Sequence, residues 1–207
     1  MSTTQEKESP YEIGVGVACA DGDCGQLHRI LIDPASRAIT HLVIGKDVHA
    51  ARLVPASLVD HAQADGIRLI CTTLDFDRLE PAEATEVIQP PSPPTGSMPA
   101  NGGALGGYGG RAKPETVTYD RVPAGEVQLR RGERVHAADG DIGRVQGLVA
   151  APDLHVTHIL LTEGHLWTKK EVAVPIRNVV DATFGVQVDL TREEVKDLPP
   201  VDLASIS

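Results

Sequence analysis

The stretch Val17-Ala18-Cys19-Ala20-Asp21-Gly22-Asp23-Cys24-Gly25-Gln26-Leu27 returns later as Arg134-Val135-His136-Ala137-Ala138-Asp139-Gly140-Asp141-Ile142-Gly143-Arg144-Val145. Around it, other pieces repeat in the same order. Thr40-His41-Leu42-Val43-Ile44 returns as Thr157-His158-Ile159-Leu160-Leu161, Val54-Pro55 as Val174-Pro175, and Leu79-Glu80-Pro81 as Leu198-Pro199-Pro200. One supersecondary unit is therefore present twice. The second copy also acts as an internal control, because chemistry essential to both units must survive in both.

Each unit reads as mostly β. Asp21-Gly22 and Asp139-Gly140 supply the positive φ that a tight hairpin needs. Gly25 and Gly143 follow where a strand must bulge. The strand Leu27-His28-Arg29-Ile30-Leu31-Ile32 ends at Asp33-Pro34, and its twin runs from Val145 to Ala150. Residues 39–44 and 156–161 give β-branched third strands. The next strands stop at Pro55 and Pro175, and 66–70 and 185–190 alternate as half-buried strands do. Thr191 with Glu194 forms a capping box ahead of a short helix that Pro199 stops. In the first unit Thr72 or Thr73 caps and Pro81 stops. Five or so short strands and one terminal helical turn, without βαβ rhythm, predict an all-β fold of two small barrels or rolled sheets.

The boundaries follow from composition: a disordered lead-in at 1–9, a first domain at 10–88, a linker at 89–126, a second domain at 127–203 and a tail at 204–207. The linker opens Gln89-Pro90-Pro91-Ser92-Pro93-Pro94 and continues into a glycine-rich run. Neither stretch can bury an apolar face. A phosphate loop is excluded there, since no Gly-Lys-Ser/Thr follows.

The series Asp-Gly-Asp-x-Gly, a hydrophobic strand ending near Asp-Pro, then Thr-His-Leu-Val and Leu-Val-Pro resembles the PRC-barrel family. That family includes the cytoplasmic domain of the photosynthetic reaction-centre H subunit and the C-terminal domain of a bacterial ribosome-maturation factor. The resemblance covers both units. It implies binding and assembly roles and supplies no catalytic residue. The second unit departs from the first at Ala151, which replaces Asp33, and in the hairpin Glu163-Gly164-His165-Leu166-Trp167-Thr168-Lys169-Lys170.

The chain has 207 residues, is 41% hydrophobic and only 3% aromatic, so its cores must be aliphatic. A net charge of −10 makes nucleic-acid binding an unfavoured reading, because phosphate neutralisation needs a basic face. No apolar run is long enough to span a bilayer, and the polar N-terminal residues lack a signal-peptide core. A cytoplasmic protein is expected. The odd count of three cysteines also suggests a reducing compartment. Cys19, Cys24 and Cys71 face Ala137, Ile142 and Leu190 in the twin, which suggests small core residues. A disulfide between Cys19 and Cys24 across the hairpin is the alternative.

Few sites survive the repeat test. Asp21, Gly22, Gly25, His41 and Pro55 match Asp139, Gly140, Gly143, His158 and Pro175. All are expected to be structural, with the Asp-Gly-Asp runs as turns rather than Ca²⁺ ligands and the histidines bonded to backbone. Features of one copy only are the better interaction candidates: Trp167, Lys169 and Lys170 on the hairpin, and the edge Arg130, Arg131 and Arg134. The expected function is a non-enzymatic binding or assembly module with protein partners, self-associating as a homo-oligomer such as a dimer, with no cofactor and no metal. The alternatives are a metal-, ligand- or redox-responsive regulator using His41/His158 or Cys19/Cys24, and an RNA or ribosome adaptor.

Overall fold

A computed structural model describes residues 8–88, 115–163, 170–181 and 185–199. The first repeat contains β1 (Ser9–Glu12), β2 (Gly16–Ala18), β3 (Asp23–Asp33), β4 (Ala38–Gly45), β5 (Arg52–Pro55), β6 (Val59–Gln63), β7 (Gly66–Leu69) and α1 (Thr73–Asp77). Next come β8 (Glu83–Ile88) and β9 (Glu115–Asp120), paired with each other as an antiparallel two-stranded sheet. The second repeat contains β10 (Val127–Arg130), β11 (Arg134–Ala137), β12 (Gly140–Ala150), β13 (Val156–Glu163), β14 (Lys170–Pro175), β15 (Val179–Asp181), β16 (Val186–Val188) and α2 (Arg192–Lys196). The all-β class expected from the repeat is observed. Residues 115–120, which composition placed inside the linker, form a strand.

Two compact units result. One comprises Met1–Ala82 with Val122–Ser207, and the other Glu83–Arg121. Both repeats thus lie in a single unit, where the sequence suggested two separate domains. The ladders explain why. One sheet runs β5-β4-β3-β2-β7-β6 and the other β14-β13-β12-β11-β16-β15. The first strand of each repeat is missing from its own sheet. β1 pairs with β12 of the second repeat, Ser9 opposite Ala150 and Glu12 opposite Gly147. β10 pairs with β3 of the first repeat, Val127 opposite Ile32 and Arg130 opposite Arg29. The two pairings have the same register, so the repeats exchange strands reciprocally.

The chain changes sheets at a glycine each time. Ile13 N–H donates to Gln146 O of the second repeat (2.8 Å), and the next amide, Gly14, donates to Leu27 O of the first (2.7 Å). Gly14 has φ +108° and its counterpart Gly132 has φ +80°, a conformation that costs glycine least. A second crossing joins the tips of the β3–β4 and β12–β13 hairpins. Ile39 N–H donates to Leu154 O and Val156 N–H to Arg37 O, at 2.9 and 2.8 Å.

Burial follows from this exchange. Tyr11, Ile30, Leu42, Leu129, Leu148 and Ile159 belong to one continuous core containing residues of both repeats. Tyr11 is 3% exposed, and burial pushes its phenol up to about 12. β3 is buried on both faces, because Leu31 points the other way into a smaller cluster with Val43, Leu53 and Ala82. The sheets are bent but open. Among the described residues no ladder joins β5 to β6 or β14 to β15, so the expected closed barrels are not formed by hydrogen bonding.

Gly147 lies directly under β1, and a β-carbon there would collide with the Tyr11 carbonyl. Gly147→Ala is expected to lower unfolding stability by about 1–3 kcal/mol through overpacking. Gly16→Ala, which meets nothing within 4 Å, is the control and should be near neutral. Urea unfolding followed by circular dichroism measures both. Two separate transitions in the parent protein would contradict the shared core.

Candidate functional site

The Asp-Gly-Asp runs do more than turn the chain. Asp21 Oδ1 accepts from Thr73 N–H (2.7 Å) and its Oδ2 from the Thr73 hydroxyl (3.2 Å). Asp139 Oδ1 accepts from Arg192 N–H at 2.8 Å. Each aspartate ties the hairpin to the first residue of the terminal helix. Behind it, Thr72 accepts from Asp75 N–H, and Thr191 forms a full capping box with Glu194. These carboxylates therefore have structural work in both repeats. Among the described residues no three His, Cys, Asp or Glu side chains gather as a metal site.

The Thr-His pairs divide their roles. Thr40 and Thr157 each donate a hydroxyl to a carbonyl of the neighbouring strand, Leu31 O and Val149 O, both at 3.2 Å. Both carbonyls sit beside a register shift, where the ladder leaves a group for the threonine to satisfy. The histidines do not share a partner. His41 Nδ1 lies 3.4 Å from Glu126 Oε2, a residue just ahead of β10 and therefore from the other repeat. His158 Nδ1 lies 3.0 Å from its neighbour Thr157 Oγ1. What the repeats keep is the threonine bond, whereas His41 adds a close polar contact across the exchange.

Cys19 and Cys24 form a disulfide across the β2–β3 turn, with Cα atoms 5.9 Å apart. Both are buried, so they are core residues and bonded to each other. Cys71 is a free, partly buried thiol. Burial raises its pKa, and the Asp75 and Asp21 carboxylates add to the rise.

The expected interaction surface is only partly assembled. Trp167 and Lys169 lie outside the described residues. Lys170 Nζ donates to the carbonyls of Lys196 and Leu198 at 2.7 and 2.8 Å. It therefore caps the end of α2, where a cation is favoured. Arg134 is 3.5 Å from Asp141, whose other oxygen is 2.6 Å from His136 Nδ1. Arg130 is in register with Arg29, and its N–H donates to Glu133 Oε2 at 3.2 Å. Arg131 lies against Gly14 at the sheet crossing. Its charge partly offsets the rise that burial and Glu171 impose on Glu12. The basic edge is thus interleaved with acids.

A different surface stands out. Ile70 and Leu74 are 58% and 60% exposed. Their counterparts are Asp189 and Glu193, so the same surface is apolar in one repeat and acidic in the other. Aligning the repeats past the Asp-Gly-Asp turn would have found this pair.

No helix of the described residues is long and apolar enough to cross a membrane. No protein-family model matches the chain, and no curated protein matches it.

Thr191→Ala should cost about 1 kcal/mol at neutral pH, as N-cap losses do. The Thr191 amide and hydroxyl hold the Glu194 carboxyl below its usual range. A depressed folded pKa contributes stability that is complete above the unfolded value and lost as pH falls through the folded one. The melting-temperature gap between parent and Thr191→Ala should therefore narrow below the usual carboxylate range.

Proposed function

We propose that this chain is a non-enzymatic binding or assembly module whose first repeat carries the docking face. The exposure of Ile70 and Leu74, opposite acids in the twin, supports this reading above all. Large aliphatic side chains left exposed favour protein contacts where they group into a patch. The twin shows that the fold accepts carboxylates at these positions. The resemblance to the PRC-barrel family supports the same reading, with the repeats as two barrel-like units that share strands. Self-association into a homo-oligomer is part of the proposal.

The test exchanges the twin's residues. Ile70→Asp with Leu74→Glu should leave the melting temperature within a few degrees, as surface substitutions do, and should abolish self-association seen by light scattering. Unchanged association in the variant, or a monomeric parent at micromolar concentration, counts against it.

The Cys19–Cys24 disulfide supports a second reading, a redox-responsive module. The bond closes a loop with a sequence separation of 5. Its chain-entropy contribution is about 2 kcal/mol. Dithiothreitol should lower the denaturation midpoint accordingly, and Cys19→Ala with Cys24→Ile should be insensitive to it. A parent unaffected by reductant removes this reading.

A further inference from the structure

The turns that precede β3 and β12 share a scaffold, and only the first carries a cross-link. Cys19 and Cys24 are joined, whereas their counterparts are Ala137 and Ile142. The exposed pair Ile70 and Leu74 stands in the same repeat, and acids replace it in the other. The two additions meet at one place. The linked turn bonds residues 71–73, which lie between the two exposed side chains. Ala20 N–H donates to Cys71 O at 2.9 Å. Thr73 donates its N–H to Asp21 Oδ1 and its hydroxyl to Asp21 Oδ2. Gly22 lies so close that a β-carbon there would stand 3.1 Å from the Thr73 methyl.

The second repeat shows what supports the turn when no bond closes it. Ile142 is buried on its inner side, and Glu194 closes a full capping box on the Thr191 amide. In α1 the shorter Asp75 reaches the Thr72 hydroxyl, and the reciprocal bond to the N-cap amide belongs to α2 alone. Two separate thiols also fill less volume than an alanine with an isoleucine, so an opened pair leaves the first turn underpacked. Ile70 has its own anchor, its N–H donating to Leu58 O at 2.9 Å, and Phe76 holds the far side of α1 in the core. Leu74, between them, takes its position from the linked turn.

We propose that the Cys19–Cys24 disulfide switches the docking face: the oxidised turn holds Leu74 beside Ile70, and reduction releases it. This inference rests on the docking reading and assigns that face its regulation. A dithiol supplies two electrons and two protons. The Sγ–Sγ bond breaks, an S–H forms on each cysteine, and the dithiol leaves as its own disulfide. Asp21 lies between the two cysteines, so opening their loop loosens its grip on Thr73. A homodimer uses two such faces, so a fall of the competent fraction to about one third weakens association about tenfold.

Cys71 adjoins Ile70, so the test uses the full chain with Cys71→Ser, which excludes a cross-link between copies. Association is measured by analytical ultracentrifugation and amide exchange by NMR, with and without dithiothreitol. Mass after thiol alkylation counts the bonds reduced. Reduction should weaken association about tenfold or more and speed exchange of the Thr73 amide by a similar factor, leaving the matching Arg192 amide unchanged. Cys19→Ser with Cys24→Ser should behave as the reduced protein while keeping the parental circular dichroism. Cys19→Ala with Cys24→Ile, which transplants the second repeat's packing, should associate without response to reductant. Equal association in both states, or an unchanged Thr73 amide, overturns the switch and leaves the docking face standing. A monomeric oxidised chain, or undiminished association in Ile70→Asp with Leu74→Glu, overturns the docking face and the switch with it. A disulfide that dithiothreitol leaves intact in the folded chain, or a reductant response retained in Cys19→Ala with Cys24→Ile, also overturns the switch.

Discussion

Two four-residue ladders hold this fold together: β1 on β12 and β10 on β3. Each repeat lends its first strand to the other and receives one in the same register. Neither sheet is complete alone, and the aliphatic core is continuous because its walls come from both repeats. With 3% aromatic residues, a single repeat has little with which to fill a core of its own. Sharing strands removes that limit. It also fixes what surrounds the junction, including the His41–Glu126 contact and the buried Tyr11.

Much of the local structure was legible in the sequence. The Asp139-Gly140 turn, the bulge glycine Gly25, the prolines that end β5 and β14, and the Thr191 capping box all act over a few residues, so their signals lie in the sequence window that they control. Gly22, expected to match Gly140, does not adopt the positive φ. The strand exchange has no such signal. Ser9-Pro10-Tyr11-Glu12 reads as the same short strand whichever sheet receives it. The glycines that permit the crossing, Gly14 and Gly132, read as ordinary loop residues. Small barrels or rolled sheets were expected from the short strands, the missing βαβ rhythm and the PRC-barrel resemblance, and none of these specifies which edges meet. The segment at 115–120 was hidden by its neighbours, since the proline and glycine run beside it dominates the composition.

The sites were less legible for the same reason. Lys170 looked like a surface cation until α2 placed two carbonyls within its reach. Asp21 and Asp139 looked like turn residues alone, because the helix amides that they bind lie more than fifty positions further along the chain. Glu126 stood in a segment read as linker, yet it meets His41. The duplicated unit was the better guide when its two copies were compared for difference. Ile70 against Asp189, Leu74 against Glu193 and Arg37 against Leu154 are contrasts that the shared scaffold cannot require.

Reciprocal exchange also changes what the connecting segment is for. In two independent domains, a cut between the repeats would release two folded bodies. Here a nick anywhere in 89–114 would leave two fragments, each clasping the other by a strand and sharing a core. The covalent link then matters chiefly as effective concentration, keeping the two halves together rather than holding either one folded. The halves themselves form an intramolecular counterpart of a strand-swapped homodimer.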